Sequence, residues 1–132
     1  IQLTLAQSIP LSGSVVVTTP QDVALADAIK GVEMFRKLNV PILGIVENMS
    51  YFIAPDTGKR YDIFGHGGAR TASSKLGVPF LGEIPLGMPI REGGDTGQPA
   101  VTQSAKDAYA DSFRDVARTL AGRISIETMV AA

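Results

Sequence analysis

The chain has 132 residues, of which 45% are hydrophobic and 19% charged, and its net charge is −1. That is one domain's length with enough apolar content to pack a core, which excludes a disordered chain. The near-neutral balance of scattered Lys and Arg argues against a dedicated nucleic-acid or anionic-membrane surface, and the absence of cysteine removes disulfides and thiolate metal ligands, as suits a reducing cytoplasm.

Strands and helices alternate along the chain. Ser14–Thr18 (SVVVT) is a β-branched run without polar alternation, the pattern of a strand buried on both faces. Thr19-Pro20-Gln21-Asp22 reads as a helix start, with Thr19 as N-cap, Pro20 as the first helical residue and Asp22 facing the free amides of the first turn. Leu25, Ile29, Val32, Phe35 and Leu38 then recur at spacings of four and three and share one helical face. Asn39 and Pro41 end that helix, and Ile42–Val46 (ILGIV) is a second apolar strand. The unit is βαβ, with a right-handed crossover.

Beyond it, Asn48–Phe64 reads as a loop or small hairpin turning at Asp56–Lys59. Gly65-His66-Gly67-Gly68 precedes a helix over Ala69–Leu76 with Gly77 just past its end. Pro79–Ile84 is a third strand. The stretch Pro85–Pro99, rich in Gly and Pro, reads as a loop with at most one helical turn, and its charges Arg91–Asp95 as solvated. Ser104–Gly122 is the final helix, with Ala105, Tyr109, Val116 and Leu120 as its apolar stripe, joined by Phe113. The tail Ile124–Ala132 is too short and weakly charged for an amphipathic membrane anchor. No stretch reads as a secretory leader or a membrane span, so a cytoplasmic location is expected.

In open parallel sheets ligands bind beyond the carboxyl ends of the strands. The polar residues there are Thr18, Thr19, Gln21 and Asp22 after the first strand, and Glu47, Asn48, Met49 and Ser50 after the second. Asn48 offers both a donor and an acceptor, matching the edge of an adenine ring; the competing reading is that its side chain only holds the local turn. Asp22 reads first as a helix-start acid. Gly65–Gly68 lacks the lysine and hydroxyl of a phosphate loop and reads as a tight turn. His66, the sole histidine, has no evident partner for metal binding or base catalysis.

TPQDVALADAIKG, PILGIVENMSYF, IFGHGGAR and LGVPFLGEIPLGMPIREGGDTGQP resemble the C-terminal half of the Mrp/ApbC-type P-loop ATPases, iron–sulfur cluster carriers in the MinD/ParA-like branch. The resemblance implies an α/β fold, a partial P-loop NTPase domain whose mainly parallel sheet of about three strands is flanked by helices, over residues 1–123, with 124–132 as a tail. It implies ATP, with Mg²⁺ in the parent protein, bound at a homodimer interface, slow hydrolysis, and apo iron–sulfur proteins as clients; no nucleic-acid or membrane partner is expected. By the same resemblance Asn48 reads adenine, Pro85 belongs to the base pocket, and Asp22 faces the nucleotide and the partner subunit.

Two departures accompany the resemblance. No G-x-x-x-x-G-K-[ST] occurs in the 132 residues; the family's phosphate loop and switch acid are expected upstream of Ile1, and this chain alone is expected not to hydrolyse ATP. Many members carry C-P-x-C after the ENMSYF motif; here Ala54-Pro55-Asp56-Thr57 stands there, and neither alanine nor threonine replaces a thiolate on a soft iron site. The departures leave open a nucleotide-dependent switch or scaffold without cluster chemistry, or a MinD/ParA-like positioning ATPase. The Ser14–Thr18 edge or the Ile1–Ile9 face is expected to mediate self-association into a dimer or larger assembly.

Overall fold

The computed structural model describes residues 1–102 and 107–131. In chain order the elements are α1 (Gln2–Ser8), β1 (Ser14–Thr18), α2 (Asp22–Lys37), β2 (Ile42–Glu47), β3 (Phe52–Ile53), β4 (Arg60–Tyr61), α3 (Gly68–Leu76), β5 (Phe80–Glu83), α4 (Met88–Thr96), a 3₁₀ turn over Ala100–Thr102, and α5 (Ala108–Ala131). Strands β1, β2 and β5 form a parallel sheet in the order β1-β2-β5; β3 and β4 form a separate antiparallel hairpin. The expected α/β architecture of a helix-flanked parallel sheet is what the chain adopts.

Two apolar layers hold the sheet. On one face Val16, Ala28, Val32, Ile45 and Ala69 pack together from β1, α2, β2 and α3, with Leu25 and Phe35 against them. On the other, Val46, Leu81 and Ile84 pack beneath Ile90, Val116 and Leu120 of α4 and α5. That second layer covers β2 and β5 more fully than β1, whose Val17 is 60% exposed. Strand β1 is a sheet edge. The exposed Val17 departs from the expectation of a strand covered on both faces.

Three boundaries differ from the sequence reading. Helix α2 is capped by Gln21, without a side-chain hydrogen bond, instead of by Thr19. Pro20 is buried near Gly65, and the Thr19 hydroxyl donates to Gln21 Oε1 at 3.1 Å instead of capping the helix. The Pro85–Pro99 segment contains the nine-residue helix α4. Pro89 sits in its first turn, where a missing N–H and fixed φ are tolerated, and Gly97 closes it with φ 72°. Arg91 and Asp95 therefore pair along a helix at 3.0 Å and not in a loop. Helix α5 continues past Gly122 to Ala131. Its expected beginning at Ser104, with Ala105, lies outside the described residues, and Phe113 is partly exposed, off the packed stripe of Val116 and Leu120. The end of α2 is as expected: Asn39 takes a left-handed φ of 56° just past it.

Candidate functional site at the carboxyl ends of the strands

Strand β2 leaves the sheet through the turn Glu47-Asn48-Met49-Ser50, whose backbone is tied to both neighbouring strands. The Asn48 N–H donates to the Thr18 carbonyl at 2.7 Å, which joins the turn to the end of β1. The Ile84 N–H donates to the Glu47 carbonyl at 2.8 Å and the Ser50 N–H to the Ile84 carbonyl at 3.0 Å, which joins it to the end of β5. Met49 completes the reversal with φ 52°. A non-glycine residue there costs about 1–2 kcal/mol, so the surrounding bonds must hold it.

Glu47 is fully buried, as is Ser50. The Ser50 hydroxyl donates to Glu47 Oε2 at 2.5 Å, and the Ala69 N–H donates to Glu47 Oε1 at 3.1 Å. Ala69 is the second residue of α3, whose first amides have no intrahelical acceptor. The carboxyl group thus closes its own turn and caps a helix that follows 22 residues later in the chain. Sequence reasoning placed Glu47 beside the site and gave it no role. The available signal was an acid ending an apolar strand, since Glu is almost never fully buried without partners.

Asn48 is half-buried. Its side-chain amide makes no hydrogen bond among the described residues, so the local turn is held without it. With Thr18 and Thr19 it forms one corner of a cavity of about 800 Å³. From that corner the cavity runs along β1 beside α2, past Val16, Ala28 and Phe35. Pro85 is buried one strand over, and Asp22 is exposed at the first residue of α2. Neither lines this cavity: of the three expected site residues the structure brings Asn48 alone to it.

After Ser50 the chain enters the β3–β4 hairpin. Its end is closed by the Ala54 N–H donating to the Lys59 carbonyl at 2.9 Å, with Gly58 at φ 71°. Ala54, Pro55, Asp56 and Thr57 occupy this end. Among the described residues no three His, Cys, Asp or Glu side chains come together as a metal site. The donor set here does not fit an iron–sulfur cluster. His66 is exposed and touches the hairpin, its Nδ1 lying 3.2 Å from Nη2 of Arg60.

A parallel sheet flanked by helices is an open α/β domain, a class whose ligand sites lie beyond the carboxyl ends of the strands. Comparison with known proteins sharpens that class. The family model described as NUBPL iron-transfer P-loop NTPase, of the ParA group, matches residues 1–121, and the chain belongs to that family. It is 55% identical over 131 residues to an iron–sulfur cluster carrier protein of Deinococcus radiodurans, an alignment covering 98% of this chain and 36% of the relative. With the iron–sulfur cluster transfer protein NUBPL of Dictyostelium discoideum the identity is 44%, covering 94% of this chain and 38% of the relative. The chain therefore spans little more than a third of the length of these curated relatives.

Among solved structures it is similar to a nucleotide-binding protein of Archaeoglobus fulgidus in complex with ADP, with a TM-score of 0.65 and 36% identity, covering 73% of this chain and 40% of that one. It is also similar to the cell division ATPase MinD of Pyrococcus furiosus, with a TM-score of 0.67 and 28% identity, covering 84% and 43% of the two chains.

Proposed function

We propose that these residues form the base-binding part of a nucleotide-dependent iron–sulfur cluster transfer ATPase. In this reading residues 1–123 belong to one P-loop NTPase domain, and 124–132 trail it. The phosphate loop and Mg²⁺ site belong to another part of a longer polypeptide; Mg²⁺ and that loop would supply the electrostatics of phosphoryl transfer. The observation that carries the reading is Asn48: its amide has no internal partner, at the end of a strand in a fold whose neighbours include an ADP complex. Donor and acceptor on one planar group suit an adenine edge. Pro85, buried one strand over, backs the base pocket without lining the Asn48 cavity, and Asp22 faces the nucleotide and the partner subunit of a homodimer. Clients are apo iron–sulfur proteins, and the setting is the cytoplasm.

The test is equilibrium binding of ATP and GTP to the full-length protein. Asn48→Ala is expected to weaken ATP by about tenfold, the equivalent of one or two neutral hydrogen bonds, and to erase the preference over GTP. An unchanged ATP-to-GTP ratio defeats the assignment.

The hairpin end favours a second reading, a nucleotide-dependent switch or scaffold of the same fold without cluster chemistry, because Ala54 and Thr57 offer no thiolate. Anaerobic reconstitution with iron and sulfide separates the two: cluster absorbance with transfer to an apo-protein supports carriage through ligands elsewhere, and neither signal supports the switch. A MinD-like positioning role has less support. The relatives named as iron–sulfur carriers match at higher identity than the MinD structures.

A further inference from the structure

We propose that Glu47 and Ser50 form a positioning pair that presents the Asn48 amide to a purine. The inference rests on the base-binding reading above and adds to it the residues that set the geometry. Met49 holds an unfavourable left-handed conformation, and the turn stays closed only because bonds on both sides fix it. The Ser50 hydroxyl closes it from inside onto Glu47 Oε2, while the Asn48 and Ser50 amides fix it to the ends of β1 and β5. The main chain on each side of Asn48 is thereby immobilised, and its side chain alone is left without a partner. A free amide on a fixed backbone loses little conformational freedom when it binds, which is how preorganisation raises affinity.

A carboxyl group achieves what an apolar side chain would not. Burying an acid is costly, and an aliphatic residue at the end of β2 would avoid that cost. Glu47 instead satisfies two buried donors from different elements, the Ser50 hydroxyl and the Ala69 amide. The turn is thus registered against α3 as well as against the sheet. An error in that register would move the Asn48 amide, and a hydrogen bond to a base edge tolerates little displacement.

The test uses the full-length protein and the variants Ser50→Ala, Glu47→Gln and Asn48→Ala. ATP and GTP affinities are measured, together with hydrogen exchange of the Asn48 and Ala69 amides without nucleotide. Ser50→Ala removes one oxygen and keeps the fold. It is expected to reduce the ATP-to-GTP preference by roughly three- to tenfold, and to speed exchange at Asn48 by a similar factor. Glu47→Gln keeps an oxygen for the Ala69 amide and offers an N–H to the Ser50 oxygen, so it should retain most of the preference. Adding Ser50→Ala to Asn48→Ala should cost no further preference, because the pair acts only through Asn48.

The proposal is overturned if Ser50→Ala lowers the melting temperature and leaves both the nucleotide ratio and the Asn48 amide unchanged. An unchanged ratio in Asn48→Ala overturns the base reading itself. Exchange at the Asn48 amide then decides the claim about the turn: protection that survives Ser50→Ala sinks it.

Discussion

The Glu47–Ser50 turn and the Phe52–Tyr61 hairpin are separated by a single residue, and they are held in opposite ways. In the turn, a buried carboxyl group and a buried hydroxyl meet at 2.5 Å, and three backbone bonds anchor the loop to β1 and β5. In the hairpin, the side-chain contacts beside the backbone ladder centre on Arg60, at the surface. It lies 3.2 Å from Asp62 and 4.0 Å from Glu83, and its guanidinium stacks 4.2 Å from the centre of the Tyr51 ring. Arg60 and Asp62 are 44% and 41% exposed, so water and salt screen the pair. A loop whose interior is filled with mutually satisfied polar groups has one conformation. The ribbon is closed at its end by backbone bonds, the Ala54 N–H to the Lys59 carbonyl and the Gly58 N–H to the Ala54 carbonyl, while the side chains that brace it are exposed charges.

The contrast can be broken by mutation, and the largest effect belongs to the turn. Glu47→Ala should destabilise the protein by about 3 kcal/mol in urea denaturation, since it orphans the Ser50 hydroxyl and the Ala69 amide and leaves a cavity. A loss near that of a surface substitution would show that the turn is not held from within. Ser50→Ala should cost about 1.5 kcal/mol by the same measurement, the upper size of one buried hydrogen bond. Met49→Gly should stabilise by up to about 1 kcal/mol, because it relieves the left-handed strain while losing only a partly exposed side chain. Arg60→Ala comes last, at about 0.5 kcal/mol, and the gap between it and the wild type should shrink further in high salt. A larger, salt-insensitive effect at Arg60 would erase the distinction between the two loops.

Much of this was legible in the sequence because its signals are periodic. The spacing of Leu25, Val32 and Phe35 placed the buried face of α2, and the SVVVT and ILGIV runs placed β1 and β2. Gly77 and Asn39 marked helix ends and adopt the left-handed φ of 68° and 56° those ends require. Composition misled at α4, where Gly and Pro suggested a loop although Pro89 lies in a first turn and Gly97 past a last one. The start of α2 was misplaced at Thr19: the helix begins at Asp22, and the Thr19 hydroxyl bonds the Gln21 side chain instead of a first-turn amide. At the candidate site, Asn48 was visible from its place after a strand. Glu47 was not, because its partners are a hydroxyl three residues on and an amide 22 residues on, and no local pattern encodes the second.

Helix α5 has a mechanical consequence. It begins beside the carboxyl end of the sheet, where a side-chain carbon on Gly87 would come within 2.1 Å of the Tyr109 ring. It finishes near the opposite end, where Glu127 borders the same cleft as Pro41 and Val78. Between them it passes so close to β5 that a carbon on Gly82 would lie 2.9 Å from Val116. A rod about 27 Å long from Tyr109 to Glu127, packed on the sheet through Val116 and Leu120 between its ends, braces one pole of the molecule against the other.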